Sequence, residues 1–186
     1  MVAFLMRSFA PPRAARGAQD EVRAADQPAN QPTSQPTTPA VPQPSPTIRT
    51  AVLSDAPRLA ELSGTLGYPT SAELLGATLQ RILGRESDVV LVAEAGGTVV
   101  GWLHGAEQEL LEIGKRCEIL GLVVDGRHRG LGAGRRLVEA IENWARERGI
   151  EEVSVRSNIV RAESHPFYLH IGFHREKTQH AYRKRI

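Results

Sequence analysis

A single cysteine, Cys117, is the only thiol in the sequence. One thiol excludes an internal disulfide and any metal site built from several cysteines, which fits a reducing compartment. Sitting in an apolar run, Cys117 reads as an inert core residue and not as a nucleophile. Long apolar runs are also missing, and none approaches the ~18 residues that a membrane span needs. A soluble, cytoplasmic chain with no membrane partner is therefore expected. Neither sign of charge dominates, with 23 Lys and Arg against 21 Asp and Glu. A nucleic-acid footprint requires basic residues gathered on one face. Apart from Arg183, Lys184 and Arg185 they are interspersed with acids, which argues against a nucleic-acid partner. The first nineteen residues hold Arg7, Arg13 and Arg16 and no acid, a loose likeness to an organellar transit segment, while Met1–Met6 is too short for a secretory apolar region.

A length of 186 residues suits one core and is too short for two. Seven of the twelve prolines lie between Pro28 and Pro46, where almost nothing apolar is available to offset the entropy of ordering. Residues 1–46 are thus expected to be an extended tail and 47–186 the folded domain.

Within that domain the periodicities alternate. Residues 47–55 read as a strand leading through Asp55 and Pro57 into a helix over 56–66. Thr70 is placed to cap a second helix over 71–83, with Glu73 reaching back. Strands over 88–96 and 98–108 are joined by Gly96-Gly97 as a hairpin turn. A looser loop, 106–116, leads into the almost continuous apolar strand 117–125, expected inside the sheet. A helix over 132–148 ends at Gly149, a strand follows at 151–157, and a short helix over 163–172 ends at Gly172. Residues 173–186 read as one long or two short terminal strands. The pattern predicts an α/β chain with a mixed sheet and helices on its faces.

Between the apolar strand and the 132–148 helix lies 125-DGRHRGLGAGRR-136, with three glycines alternating at the mouth of a helix that they weaken. A P-loop requires Lys-Ser or Lys-Thr after the glycines, and none follows. A dinucleotide fold requires G-x-G-x-x-G, and counted from Gly130 the last position is Arg135. What remains is a helix start whose first N–H groups, from about Gly130 to Arg135, have no internal partners and can bind a pyrophosphate. Gly130, Gly132 and Gly134 allow close approach, and Arg129 and Arg135 add positive charge. Spacing alone leaves open a glycine-rich connection that serves only tight packing.

The segment Arg129-Gly130-Leu131-Gly132-Ala133-Gly134 resembles the acyl-coenzyme A signature [RQ]-x-x-G-x-[GA] of the GNAT superfamily of N-acetyltransferases. Phe167-Tyr168 with Gly172-Phe173 is similar to that family's second motif, F-Y-x-x-x-G-F, and the element order matches from about Thr47 onward. The resemblance implies a mostly antiparallel sheet splayed between the fourth and fifth strands. The pantetheine arm of acetyl-CoA would lie in that gap, paired with the backbone around Leu122, Val123 and Val124 and touched by Asn158, which could instead simply turn the chain. It implies direct attack of a small-molecule amine on the thioester, with no metal. Tyr168 would be the general acid, or else a core tyrosine bonded to a carbonyl. For the base, Glu118 is the choice: uninterrupted strand alternation puts it on one face with Leu120, Leu122 and Val124, although it could merely pair with Arg116. His165 and His170 are other proton acceptors. Glu107, Glu109 and Glu112 could draw in a cationic acceptor or be an ordinary solvated loop. Alternatives to the small-molecule enzyme are a protein acetyltransferase and an acyl-coenzyme A sensor without turnover; a homodimer is compatible with the resemblance.

Overall fold

The structure is a computed structural model that describes residues 45–186. The expected tail, and with it the transit-like segment, falls almost wholly outside those residues. Strands β1 (Thr47–Thr50), β2 (Asp88–Ala95), β3 (Thr98–Leu110), β4 (Gly114–Val124) and β5 (Val153–Val155) lie in that order in one sheet. The first four are mutually antiparallel, and β5 joins β4 in parallel. Helices α1 (Ala56–Thr65) and α2 (Ala72–Leu83) cover one face, and α3 (Ala133–Arg146) covers the other. The short α4 (Ser164–His170) carries Phe167 against the α3 side.

Periodicity explains both cores. On α3 the residues Leu137, Val138, Ile141 and Ala145 recur at helical spacing and are all but fully buried against Val89, Leu91, Leu103, Cys117 and Ile119. Burying each large side chain contributes roughly 1.5–3 kcal/mol. The intervening strand residues Val90, Val92, Val99 and Val123 face the other way, onto Leu59, Leu62 and Leu79 of α1 and α2. Among the described residues no helix is long and apolar enough to cross a membrane.

Four expectations are corrected. Ser71 caps α2, its hydroxyl accepting from Leu74 N at 3.2 Å, because the helix starts one residue later than a Thr70 cap requires. Residues 106–116 are not a loose loop: β3 and β4 pair from Gly101↔Val124 out to Leu110↔Gly114, and the connection is the turn 111–113. No strand forms in 173–186. That polar, mostly exposed segment buries too little to hold a further strand against the three-residue β5. Finally, β4 carries a bulge. Gly105 pairs with Ile119 and His104 with Gly121, so Leu120 is an extra residue. Beyond it the alternation reverses, and Leu122 and Val124 pack on the α3 side with Cys117 and Ile119, while Glu118 faces the opposite way.

The bulge also sets the opening of the sheet. β5 pairs with β4 only from Cys117↔Val153 to Ile119↔Val155, so Leu120–Val124 have no strand beside them on that edge. Asp125 N donates to Val100 O on β3 at 2.8 Å. Since strand polar groups alternate edges, those of Leu122 and Val124 point into the gap.

Candidate active site

The gap leads into the glycine-rich connection. After β4 a single 3-10 turn, Gly126–His128, carries the chain to Gly130 and Gly132, which adopt φ of 82° and 77°. Only residues without a Cβ take up that left-handed geometry without strain. Nothing lies within 4 Å of where a Cβ would stand on either. The space beside both backbones is open to a ligand. Gly134 answers to a different demand: a Cβ there would lie 3.1 Å from the Phe167 ring, so its small size lets α4 pack on the start of α3. Among the described residues, none of the N–H groups of 130–135 donates to a backbone oxygen, and the first α3 bond is Arg136 N to Gly132 O. These donors and the helix dipole make an anion site. Arg129 and Arg135 stand at its rim, exposed, in ion pairs with Glu163 at 3.5 Å and Glu139 at 3.1 Å. Pairs of that kind are weak and leave both side chains free to swing toward an incoming anion.

A clamp that sequence reading missed fixes the start of this connection. Asp125, the last residue before the turn, is buried, and its carboxylate accepts from Arg127 N at 3.0 Å and from the Arg127 and Arg58 guanidinium groups. Arg58 comes from α1, 67 positions away, and also donates to Val99 O at 2.9 Å. The Arg127 guanidinium and backbone N–H, followed by Arg58, hold the Asp125 carboxyl far below the usual carboxylate range against the opposing effect of burial.

On α4, Tyr168 packs edge-on to Phe167 and Phe173, with ring centroids 5.2 and 5.7 Å away. Burial raises its phenol above the ordinary value near 10, an effect the Arg161 charge partly offsets. Its hydroxyl makes no hydrogen bond to the described residues, so it is not a core tyrosine tied to a carbonyl. Asn158 turns the chain: its Oδ1 accepts from Val160 N at 3.1 Å, leaving Nδ2 as a donor. His165 is taken up with Asn158 O at 3.1 Å, and His170 lies exposed in the last turn of α4.

Glu118 and Glu107, both singled out in the sequence, are held in ion pairs. Glu118 is only 3% exposed, and its two oxygens are held by Arg156 Nε at 3.2 Å and Arg116 Nη2 at 3.3 Å. The bulge removes the argument that aimed it along the Leu122 side. Glu107 pairs with Lys115 at 2.8 Å and lines a hollow with Glu147 and Arg148 beside the end of α3, on the face away from α1 and α2. Cys117 is fully buried and its thiol is pushed up to about 11, first by burial, which makes it inert.

Known proteins with this architecture include acetyltransferases. Over 139 residues the chain is 28% identical to an aminoglycoside N(6')-acetyltransferase type 1 from Stenotrophomonas maltophilia, covering 73% of this chain and 89% of that protein. A probable N-acetyltransferase family 8 member 5 from Mus musculus is 32% identical over 85 residues, 45% of this chain; the match spans only 37% of the mouse protein. Among solved structures, the aminoglycoside N-acetyltransferase AAC(6')-Iy in complex with CoA superimposes with a TM-score of 0.70 at 20% identity, covering 78% of this chain and 99% of that one. Glucosamine-6-phosphate N-acetyltransferase from Arabidopsis thaliana gives a TM-score of 0.65 at 22% identity, with 75% and 99% covered. The splayed strands β4 and β5 and the glycine-rich helix start lie within residues 57–173, which the model of the acetyltransferase (GNAT) family matches. With more than half its length so matched, the chain belongs to the GNAT family of acetyl-CoA-dependent N-acetyltransferases.

Proposed function

We propose that the protein transfers the acetyl group of acetyl-CoA to a primary amine of a small molecule, by direct attack while both substrates are bound. The observation that carries this is the row of unpartnered N–H groups at Gly130–Arg135 standing at the end of a gap between β4 and β5. Gly130, Leu131, Gly132, Ala133, Gly134 and Arg135 would hold the pyrophosphate with Arg129. The backbone of Leu122 and Val124, on either side of Val123, would pair with the pantetheine arm as an added strand does. Asn158 Nδ2 would donate to the arm from the far side of the gap.

Held there, the thioester carbonyl can take a hydrogen bond from backbone N–H near Leu122, which stabilises the developing oxyanion. Tyr168 gives its proton to the departing thiolate, and its raised pKa keeps that proton in place at neutral pH. Glu118, fixed by Arg116 and Arg156, serves to anchor β5 to β4 near the bulge and not as the base. Likeness to the Stenotrophomonas maltophilia protein supports an aminosugar as the acceptor class, at an identity too low to fix one compound.

The test mixes the protein and acetyl-CoA with an aminoglycoside, glucosamine, spermidine and a lysine peptide, and follows free thiol. Thiol release with a small amine supports the proposal. Release with the peptide alone would make the protein a peptide acetyltransferase, and tight coenzyme binding with no release would make it a sensor.

A further inference from the structure

The amine's proton has no acceptor among the residues assigned so far, since Glu118 is locked between two guanidinium groups. A different pair stands nearby. His104 on β3 lies directly opposite Gly121, at the register shift that creates the β4 bulge and beside the opening of the sheet. Strand alternation places its side chain with Trp102 on the α1 and α2 side, the same side as Glu118. Its Nε2 meets Asp88 Oδ1 at 3.0 Å. Asp88, with a side chain 8% exposed, is in turn held by Ser87 Oγ on Oδ2 at 2.8 Å, and Arg85 Nη1 stands 4.0 Å from Oδ1. The charged groups on this side are thus Asp88 and Arg85 toward β2, and Glu118, Arg116 and Arg156 toward β4 and β5.

A carboxylate can only accept, so facing Asp88 the neutral tautomer of the ring carries its hydrogen on Nε2 and its lone pair on Nδ1. Among the described residues the one hydrogen bond of the His104 ring is that from Nε2 to Asp88. Two residues before His104 on the same face, Trp102 lays its ring over Gly121, 2.8 Å from where a Cβ would stand, and its buried Nε1 is unpartnered among the described residues. A buried donor without a partner fits a place that a polar ligand or water completes.

Building on the acetyl-transfer function proposed above, we infer that His104, oriented by Asp88, accepts the proton of the attacking amine, through one water. As the amine nitrogen bonds to the acetyl carbon and the carbon–sulfur bond breaks, the N–H proton passes by that water to His104 Nδ1. The thiolate takes the Tyr168 proton. The imidazolium then returns its proton through solvent to the tyrosinate, so one amide and one free thiol form with no net proton left on the protein.

The test uses the full chain and the panel amine that the wild type turns over fastest. His104→Gln, which can still hydrogen-bond Asp88, is expected to lower kcat about 10²-fold with the KM for acetyl-CoA and the coenzyme affinity unchanged. Asp88→Asn should lower kcat by a smaller factor in the same way. In His104→Ala, added imidazole should restore part of the lost turnover, which a purely structural loss would not allow. His104→Gln at the wild-type rate, or a His104→Ala deficit that imidazole leaves untouched, would overturn this assignment alone. A wild type that binds acetyl-CoA and acetylates none of the panel would overturn the acetyl-transfer reading as well.

Discussion

Tyr168 is a phenol whose surroundings keep it protonated, and its worth as an acid can be read by deleting one oxygen. Tyr168→Phe retains the ring packing on Phe167 and Phe173, so it should lower kcat by about 10²-fold while the Kd for coenzyme A stays nearly the same. Unchanged turnover would remove the role. Asp125 tests the clamp at the same scale. Its carboxyl is depressed in the fold, so the stabilisation it gives is fully present above the unfolded value near ~3.9 and is lost only as pH falls through the lower folded value. Carboxyl carbon NMR should therefore show Asp125 still ionised where ordinary carboxylates are half protonated, and a midpoint near ~3.9 would show the clamp broken in solution. The motif residues around Gly132 and Tyr168 were legible in the sequence because their chemistry is local. Arg58 with Asp125 and His104 with Asp88 were not, because each pair is assembled by strand and helix packing across 67 and 16 positions.

At the scale of elements, the alternating glycines divide into two kinds of requirement, and single substitutions separate them. Gly132→Ala forces a Cβ into left-handed backbone with no clash, a cost of roughly 1–2 kcal/mol that should fall on the loop and weaken coenzyme binding. Gly134→Ala puts its Cβ against the Phe167 ring, so it should lower the thermal midpoint and loosen α4 more than it weakens coenzyme binding. The reverse ranking, read by calorimetry and thermal melting, would contradict this division. Element type followed from periodicity for α1 to α3 and β2 to β4, since each buries a face at its own spacing. What periodicity does not encode is a bulge: inserting Leu120 changes no hydrophobic pattern a reader would notice, yet it turns Glu118 away from Leu122. Terminal strands failed for a related reason. Residues 173–186 hold few apolar side chains, Phe173, Ala181, Tyr182 and Ile186, and a strand also needs an edge to join, of which β5 offers only three residues.

For the whole molecule, the sheet opening and the loop must act on one ligand. The Arg58–Asp125 contact ties α1, on one face of the sheet, to the connection that starts α3 on the other, so the two faces share a joint at that connection. Coenzyme at a hundredfold over its Kd should stabilise the fold by about 2.7 kcal/mol, visible as a rise in Tm. Deleting residues 1–44 should leave both the Tm and that rise unchanged, which a melting curve of the shortened chain checks directly. Isothermal titration of acetyl-CoA into the folded full-length protein is the most direct test of the central claim. Saturable binding at one site, weakened by Gly132→Ala, is the predicted result; the absence of heat and affinity at about millimolar coenzyme, a level weaker than roughly −4 kcal/mol of binding, with the fold intact, would contradict it.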